Sequence, residues 1–240
     1  MRLSDLTWGE VKEYINKESK YLIIPVGTCE QHGYHLPLNH DILVVEHMAQ
    51  ELSEKTGILV APTLNYGVNL PCDRLLSGTT TVTPEILKSI ILSITEWWRD
   101  QGFQLFLLMT YHGDPFHIRA LSGLGKDIGL IELGNIEYSD ILEKQSTIRH
   151  ACEAETSVGL CLYPERIRFE QIKEYDIPFE QFREYLFHAN LNQPENYVGC
   201  LGFPSYATQT KGIEIVKRMY DQMMKDYIEI VEKYATKKSE

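Results

Sequence analysis

Short apolar runs alternate with longer segments of helical spacing along this chain. Four runs of mainly apolar residues occur, at 21–26, 58–62, 104–110 and, more weakly, 129–133. Runs of this length are typical of strands that are buried on both faces of a parallel sheet. Apolar residues at helical spacing fill segments before and between the runs, at 3–16, 42–56 and 84–102. The alternation predicts an α/β fold with a mostly parallel central sheet.

Local signals mark where the predicted helices begin and end. Thr7 starts a capping box in the opening helix, and Thr83, which a proline and an acid follow, starts a later one. Gly57 predicts the end of the helix that precedes it. A final helix is predicted at about 208–234, and its apolar residues are expected to cover the core: Ile213, Val216, Met219, Met223, Tyr227, Ile230 and Val231.

The polar segment 27–41 leaves the carboxyl end of the first predicted strand, where open α/β sheets bind ligands. Glu30 and His32 are two residues apart, so in extended backbone their side chains project to the same side. Asp41 follows as the next helical pattern begins. Two carboxylates and an imidazole on one loop suit a divalent metal. Two other interpretations stay open: the histidines are only solvated, or Asp41 is a helix N-cap.

A second polar turn, 111–114, leaves the third predicted strand in the same way. Pro115 fits the first position of the next helix, so His112 lies at a strand-to-helix turn. Further along, His150 and Glu155 flank the start of another helix, where Glu155 could be only a first-turn acid. The long irregular loop from 63 to 83 is expected to contact a substrate.

Composition excludes several classes of function. The chain has 240 residues and no linker or repeat, which favours one domain, 1–240. Its net charge of −11, without a basic cluster, argues against a nucleic-acid or acidic-membrane partner. No apolar run is long enough for a membrane span and no secretory signal is visible, so we expect a cytoplasmic protein. Five cysteines without paired close spacing argue against a disulfide framework.

Four motifs together resemble the creatininase (creatinine amidohydrolase) family. They are PVGTCEQHGYHLPLNHD at 25–41, YGVNLPCDRLLSGTTTVTPEIL at 66–87, TYHGDPFH at 110–117 and RHACEAETSVGLCLYP at 149–164. Their order and spacing agree with the family from Leu6 to the C-terminal helix. The resemblance implies a single-domain, three-layer α/β/α fold with a mostly parallel central sheet, a two-metal centre and a ring-like homo-oligomer, often a hexamer.

The resemblance also implies roles for single residues. Asp41 bridges two cations, Glu30 and His112 hold one of them, and His32 with Asp114 holds the other. Glu155 competes with Asp114 for this last position. His150 and Glu155 are the catalytic candidates, with His150 carrying a proton, and the substrate-binding candidates are Tyr111, Gly78 and Thr79.

The chain departs from the family pattern at a few positions. Thr147 stands where the family has an acid three residues before its catalytic histidine, and a Gly-Asp-Pro turn replaces the usual Gly-Gly-Asn after His112. His117 has no family counterpart and could support the ligands. The residues 72–74, Cys-Asp-Arg, stand where a histidine is frequent. These departures concern the substrate surface.

The predicted function is metal-dependent hydrolysis of a small cyclic carbonyl compound, most simply at a cyclic amide or formamide C–N bond. Two divalent ions per chain are expected; a ligand set of nitrogen and oxygen suits zinc first, and manganese or iron(II) also. Alternatives are C–C hydrolysis of a cyclic diketone at the same centre, and a non-catalytic binding module. A Cys29 nucleophile is disfavoured because no histidine is certain to lie beside it. Trp97 and Trp98 are expected in packing or subunit contacts.

Overall fold

A four-stranded parallel sheet forms the centre of this computed structural model, which describes residues 1–176 and 196–238. The strands are β1 (Tyr21–Pro25), β2 (Leu59–Val60), β3 (Leu105–Thr110) and β4 (Ile128–Glu132). Their order across the sheet is β2-β1-β3-β4, and every neighbouring pair is parallel. All six residues of β3 are buried, as the apolar run predicts for a central strand.

Six α-helices accompany the sheet in the described residues. They are α1 (Trp8–Lys17), α2 (His40–Thr56), α3 (Pro84–Gln101), α4 (Pro115–Leu121), α5 (Glu153–Leu162) and α6 (Gln209–Lys238). Successive strand residues point to opposite faces, so Ile23 lies in one core and Leu22 and Ile24 in the other. Helices α2, α5 and α6 cover the first core, and α1, α3 and α4 cover the second. The predicted three-layer α/β/α fold is confirmed.

The predicted helix signals are present in the structure. Thr7 and Glu10 form the capping box, in which the Thr7 amide donates to Glu10 Oε2 at 2.7 Å. Thr83 Oγ1 accepts a hydrogen bond from the Ile86 amide at the start of α3. Gly57 ends α2 with a φ of 73°, in the left-handed region that glycine adopts without a steric penalty.

Some boundaries differ from those predicted. The opening helix starts only at Trp8, after a separate 3-10 turn at Leu3–Asp5, because the Thr7 cap interrupts it. Helix α2 starts at His40, so Asp41 lies inside its first turn and is not the N-cap. In α6, Ile213 is 57% exposed and does not cover the core, whereas Met219 and Met223 do.

The two polar loops emerge side by side because their strands are neighbours. Strands β1 and β3 pair in parallel with Pro25 opposite Met109, and the Val26 amide donates to the Met109 carbonyl at 2.8 Å. Parallel strands end at the same edge of a sheet, so the loop after β1 and the loop after β3 leave together. This pairing brings segment 27–41 next to His112.

The remaining sequence expectations concern surfaces and thiols. No helix in the described part of the chain is long and apolar enough to cross a membrane. All five cysteines are free thiols. Trp97 is 72% exposed, whereas Trp98 is partly buried and stacks on Phe106, with the two ring centroids 6.4 Å apart. Trp98 is therefore a packing residue, and only Trp97 is available on the surface.

Candidate metal centre

Asp41 lies between two groups of potential metal ligands and shares one carboxylate oxygen with each. Its Oδ1 is 3.4 Å from His32 Nε2, and its Oδ2 is 3.2 Å from His112 Nδ1. Glu30 Oε2 is 3.0 Å from the same His112 nitrogen, and Glu155 Oε2 is 3.9 Å from His32 Nε2. The arrangement suits two cations that one carboxylate bridges.

Backbone carbonyls fix the orientation of both imidazole rings. His32 Nδ1 lies 3.1 Å from the Glu30 carbonyl oxygen, and His112 Nε2 lies 2.8 Å from the Val68 carbonyl oxygen. A carbonyl can only accept, so these nitrogens carry the ring protons. In the neutral rings that bind a metal, the opposite nitrogens, which face the carboxylates, are left with a lone pair.

The donor set is buried and incompletely satisfied. Glu30, His32 and Asp41 are each 2% exposed or less. Glu30 Oε2 and Asp41 Oδ2 are buried and make no hydrogen bond to the residues that the structure describes. Buried carboxylate oxygens are normally paired or bound to a metal, because the cost of removing them from water is high. The residues present therefore fit two divalent cations.

The pKa shifts of the buried groups also indicate that the carboxylates of the site require positive charge beside them. Burial by itself lowers the pKa of His32, but Asp41, Glu155 and Glu30 outweigh burial and raise it to about 10. Burial raises the pKa of Glu30, yet the charges of His112 and His150 bring it down to about 2. Without a metal, protons on the histidines supply the positive charge that the carboxylates require.

A tight turn before α5 presents His150 and Glu155 together. Ala151 has a φ of 49°, an uncommon left-handed conformation for a residue with a Cβ, and its amide donates to Glu155 Oε2. His150 Nε2 lies 2.7 Å from the Gln31 carbonyl oxygen, and its Nδ1 is 3.9 Å from Glu30 Oε1. Burial lowers the pKa of His150 to about 4, so its ring is neutral near pH 7 and can accept a proton.

Asp114 does not join either ligand group. Its Oδ1 caps α4 by accepting hydrogen bonds from the Phe116 amide at 2.6 Å and from the His117 amide at 3.1 Å. Its Oδ2 is buried and unpartnered in the described residues, and Asp114 is among the residues that line the cleft. Glu155, in contrast, lies with His32 and Asp41 in a group whose ligand atoms are all within 4.8 Å of one another. The geometry favours Glu155 over Asp114 at the second position.

A cleft of about 360 Å³ opens over the two ligand groups. Tyr111, a predicted substrate contact, lines it with a buried hydroxyl that has no partner in the described residues, and Thr147 lines it too. Gly78 and Thr79 do not line the cleft. Thr79 Oγ1 instead accepts a hydrogen bond from the Gln31 amide at 2.8 Å, so it supports the polar segment 27–41.

Sequence reasoning missed two buried side chains at the site. Asp73 lines the cleft at 2% exposure and accepts a hydrogen bond from Gln31 Nε2 at 3.1 Å; burial raises its pKa well above the usual range. His40 belongs to the ligand group of His32, Asp41 and Glu155. A helix start placed at residue 40 would have put His40 beside Asp41 in one turn, but nothing local distinguishes that start from one at residue 42. Cys29 Sγ lies 3.5 Å from a backbone carbonyl outside the cleft.

One protein-family model matches most of this chain. The model described as "Creatininase: Creatinine amidohydrolase" matches residues 4–227. The chain is a member of the creatininase family. The family predicted from the four motifs is confirmed, and the enzyme class, a hydrolase of the creatininase type, is confirmed at the level of the family.

Two relatives show how far the similarity of this creatininase-family chain extends. It is 30% identical over 173 residues to the 3-dehydro-scyllo-inosose hydrolase of Thermotoga maritima, a match that covers 67% of this chain and 55% of that enzyme. It is 25% identical over 200 residues to the creatinine amidohydrolase of Pseudomonas putida, with 72% of this chain and 76% of that enzyme covered. The chain thus spans about half the length of the first relative and three quarters of the second.

Solved structures agree with the fold. A crystal structure of creatinine amidohydrolase superposes with a TM-score of 0.75 at 22% identity and covers 92% of this chain and 94% of that one. Solved creatininases of the same fold include a form described as Zn-Zn and a manganese form. At this level of identity, the structural similarity supports only the assignment of the fold.

The placement of Glu155 and Asp114 predicts that only one of two isosteric substitutions weakens metal binding. Glu155→Gln removes a ligand charge beside His32, so we expect the protein to bind one zinc ion fewer or to bind it at least about tenfold more weakly. Asp114→Asn should keep both ions, because the amide oxygen still caps α4. Equilibrium dialysis with elemental analysis measures both. If Asp114→Asn lost an ion and Glu155→Gln did not, Asp114 would be the ligand.

Proposed function

We propose that this chain is a metal-dependent hydrolase with a dinuclear centre. The centre would activate a water molecule, and that water would attack the carbonyl carbon of a small cyclic compound. The observation that carries the proposal is the position of Asp41, whose two carboxylate oxygens face two separate ligand groups. Glu30, Asp41 and His112 would hold one cation, and His32, Asp41 and Glu155 would hold the other. A cyclic amide or formamide C–N bond is the preferred target.

The chain's own residues supply the remaining steps. When bound, two divalent cations lower the pKa of a shared water, polarise a carbonyl and stabilise the charge that develops on its oxygen. His150 is held through Nε2 by the Gln31 carbonyl, and its Nδ1 faces the centre, where it can take a proton and deliver it to the leaving atom. Tyr111, whose pKa burial raises well above the usual value, keeps its proton and can donate to a substrate oxygen.

The ligand chemistry favours zinc without excluding two other metals. All the proposed ligand atoms are imidazole nitrogens or carboxylate oxygens, which zinc, manganese and iron(II) accept. The zinc and manganese forms of solved creatininases support the first two metals. We propose two ions per chain, with zinc as the preferred metal.

The cleft supports a small polar substrate. Its volume of about 360 Å³ lies near the lower end of the range for small-molecule sites. Besides the ligands, its wall carries the acids Asp73, Asp114 and Glu132 and the cation Arg149. Carboxyl groups on the wall can bind the N–H groups of a cyclic amide, and Arg149 can bind a carboxylate or a second carbonyl.

A C–C bond in a cyclic diketone is the second candidate target. The attack of an activated water on a carbonyl is the step that both reactions share. The relative from Thermotoga maritima, a hydrolase of 3-dehydro-scyllo-inosose, supports this candidate because its substrate name denotes no amide. The other alternative, a non-catalytic binding module, is disfavoured because both ligand groups are complete.

Assembly and location are further parts of the proposal. We propose one domain over 1–240, a cytoplasmic location and a homo-oligomer, with a hexamer expected from the family. Trp97, at 72% exposure on α3, supports a subunit contact. Light scattering at micromolar concentration should give a mass several times the 27.7 kDa of one chain. A mass of one chain alone would contradict the oligomer.

A substrate panel tests the reaction class. The metal-loaded protein should hydrolyse at least one of three groups of compounds: creatinine, formamidopyrimidines and cyclic diketones, each assayed with zinc and with manganese. Turnover of the amides only would support C–N hydrolysis, and turnover of the diketones only would support the second candidate. A chelated sample serves as the control. Two bound ions without any turnover would favour the non-catalytic module.

Asp41→Ala and His150→Ala should separate metal binding from proton transfer. Asp41→Ala should abolish activity and weaken both ions, because one carboxylate serves both positions. His150→Ala should keep two ions and lower kcat by roughly 10²–10⁴-fold, the usual contribution of a general acid–base group. Elemental analysis and steady-state kinetics measure the two effects. Near-normal turnover with two ions in Asp41→Ala would rule out the bridged centre.

A further inference from the structure

His40 occupies a position in the centre that the five ligands above do not explain. It is the first residue of α2, directly before Asp41, and its side chain is fully buried. Its ring centroid lies 4.8 Å from that of His32 and 5.6 Å from that of Tyr111. Its Nε2 is buried and has no hydrogen-bond partner in the described residues. A buried ring nitrogen without a partner is costly, so it calls for a ligand.

The two nitrogens of His40 are used in the same way as those of the other ligand histidines. His32 and His112 each have one nitrogen held by a backbone carbonyl and the other facing the carboxylates. His40 Nδ1 is held by the Tyr163 hydroxyl, and Nε2 is the nitrogen left without a partner in the described residues. One nitrogen of the ring lies within 4.8 Å of the ligand atoms of His32, Asp41 and Glu155. One held nitrogen and one nitrogen directed at the metal is the usual arrangement of a metal-binding histidine.

Two neighbouring buried histidines are not placed among the ligand atoms in this way. His117 uses both nitrogens within the protein, since Nδ1 accepts from the Val68 amide at 3.2 Å and Nε2 lies 3.1 Å from Thr110 Oγ1. His35 contacts Thr156 through Nε2 at 2.9 Å; its Nδ1 is also buried without a partner in the described residues, but His35 belongs to none of the ligand groups found there. Burial of a histidine near the centre therefore does not by itself produce the His40 geometry.

We propose that His40 Nε2 is a fourth protein ligand to the cation held by His32, Asp41 and Glu155. This inference rests on the proposed function, since it concerns the same centre. The second position would then have two nitrogens and two carboxylates, whereas the first, with Glu30, Asp41 and His112, has one nitrogen and two carboxylates. The two positions are chemically unequal.

The inequality has a functional consequence. Four protein ligands are typical of tightly held zinc, and three protein ligands leave the open positions that catalytic zinc needs. The ion beside His40 is therefore the tighter one, and the ion beside His112 is the more exchangeable one. Substrate oxygen and water would then compete mainly for the position beside Glu30 and His112, and His150 Nδ1 is 3.9 Å from Glu30 Oε1.

Zinc titration of the metal-free 240-residue chain against a chelating indicator tests the inference. The wild type should bind two zinc ions with distinct affinities. His40→Ala should weaken the tighter ion by more than the roughly 10–100-fold that loss of a supporting partner causes. Tyr163→Phe, which keeps the ring and removes only the hydroxyl, should weaken the same ion within that 10–100-fold range. His35→Gln removes another buried imidazole of the same loop and should leave both affinities unchanged.

X-ray absorption of the zinc-loaded proteins gives a readout that does not depend on activity or on affinity. The wild type should show three imidazoles for two ions, and His40→Ala should show fewer, while Tyr163→Phe should keep three. Circular dichroism checks that each variant is folded. Unchanged affinities and an unchanged imidazole count in His40→Ala would overturn this inference and leave the proposed function intact. A wild type that bound no zinc would overturn both.

Discussion

Negative charge buried in one place is the constraint on which this structure depends. Glu30, Asp41 and Glu155 converge where water is nearly excluded, and an isolated carboxylate there would cost several kcal/mol. The surrounding histidines can balance that charge, and a hydrogen bond on the far side of each ring fixes its orientation. The centre is therefore stable only when it holds protons or metal ions, and divalent cations satisfy three carboxylates better than protons on scattered rings do.

The sheet makes this convergence possible with few specialised residues. Because β1 and β3 are parallel neighbours, their two loops leave the same edge, and the ligands of each need only a short reach. Helix α5 then adds Glu155 from its first turn, where free amides and the helix dipole favour a carboxylate. The turn before α5 requires a left-handed backbone at Ala151. This backbone strain lowers stability, and it accompanies the alignment of His150 with the centre.

The sequence predicted the strands, the two loops and their ligand types, because buried strands and cap residues leave local patterns. Glu30, His32, Asp41 and His112 could be placed near one another on that basis. His40 and Asp73 could not, since a helix start two residues earlier and a 3-10 turn within a long loop have no distinctive pattern. The choice between Asp114 and Glu155 depended on distances between segments far apart in the chain. That Gly78 and Thr79 lie outside the cleft could not be predicted either, because a motif match does not give the position of a residue in the folded chain.

The backbone anchors of the ligand histidines determine which positions evolution can change freely. His32, His112 and His150 are oriented by the main-chain carbonyls of Glu30, Val68 and Gln31, and a carbonyl survives any replacement of its side chain. The loop 63–83, which contains Val68, can therefore diverge in sequence without disturbing His112. His40 depends on the Tyr163 side chain instead, which a single base change can remove. A single replacement at residue 163 can thus weaken the hold on the His40 ring while the main-chain anchors of the other histidines are retained.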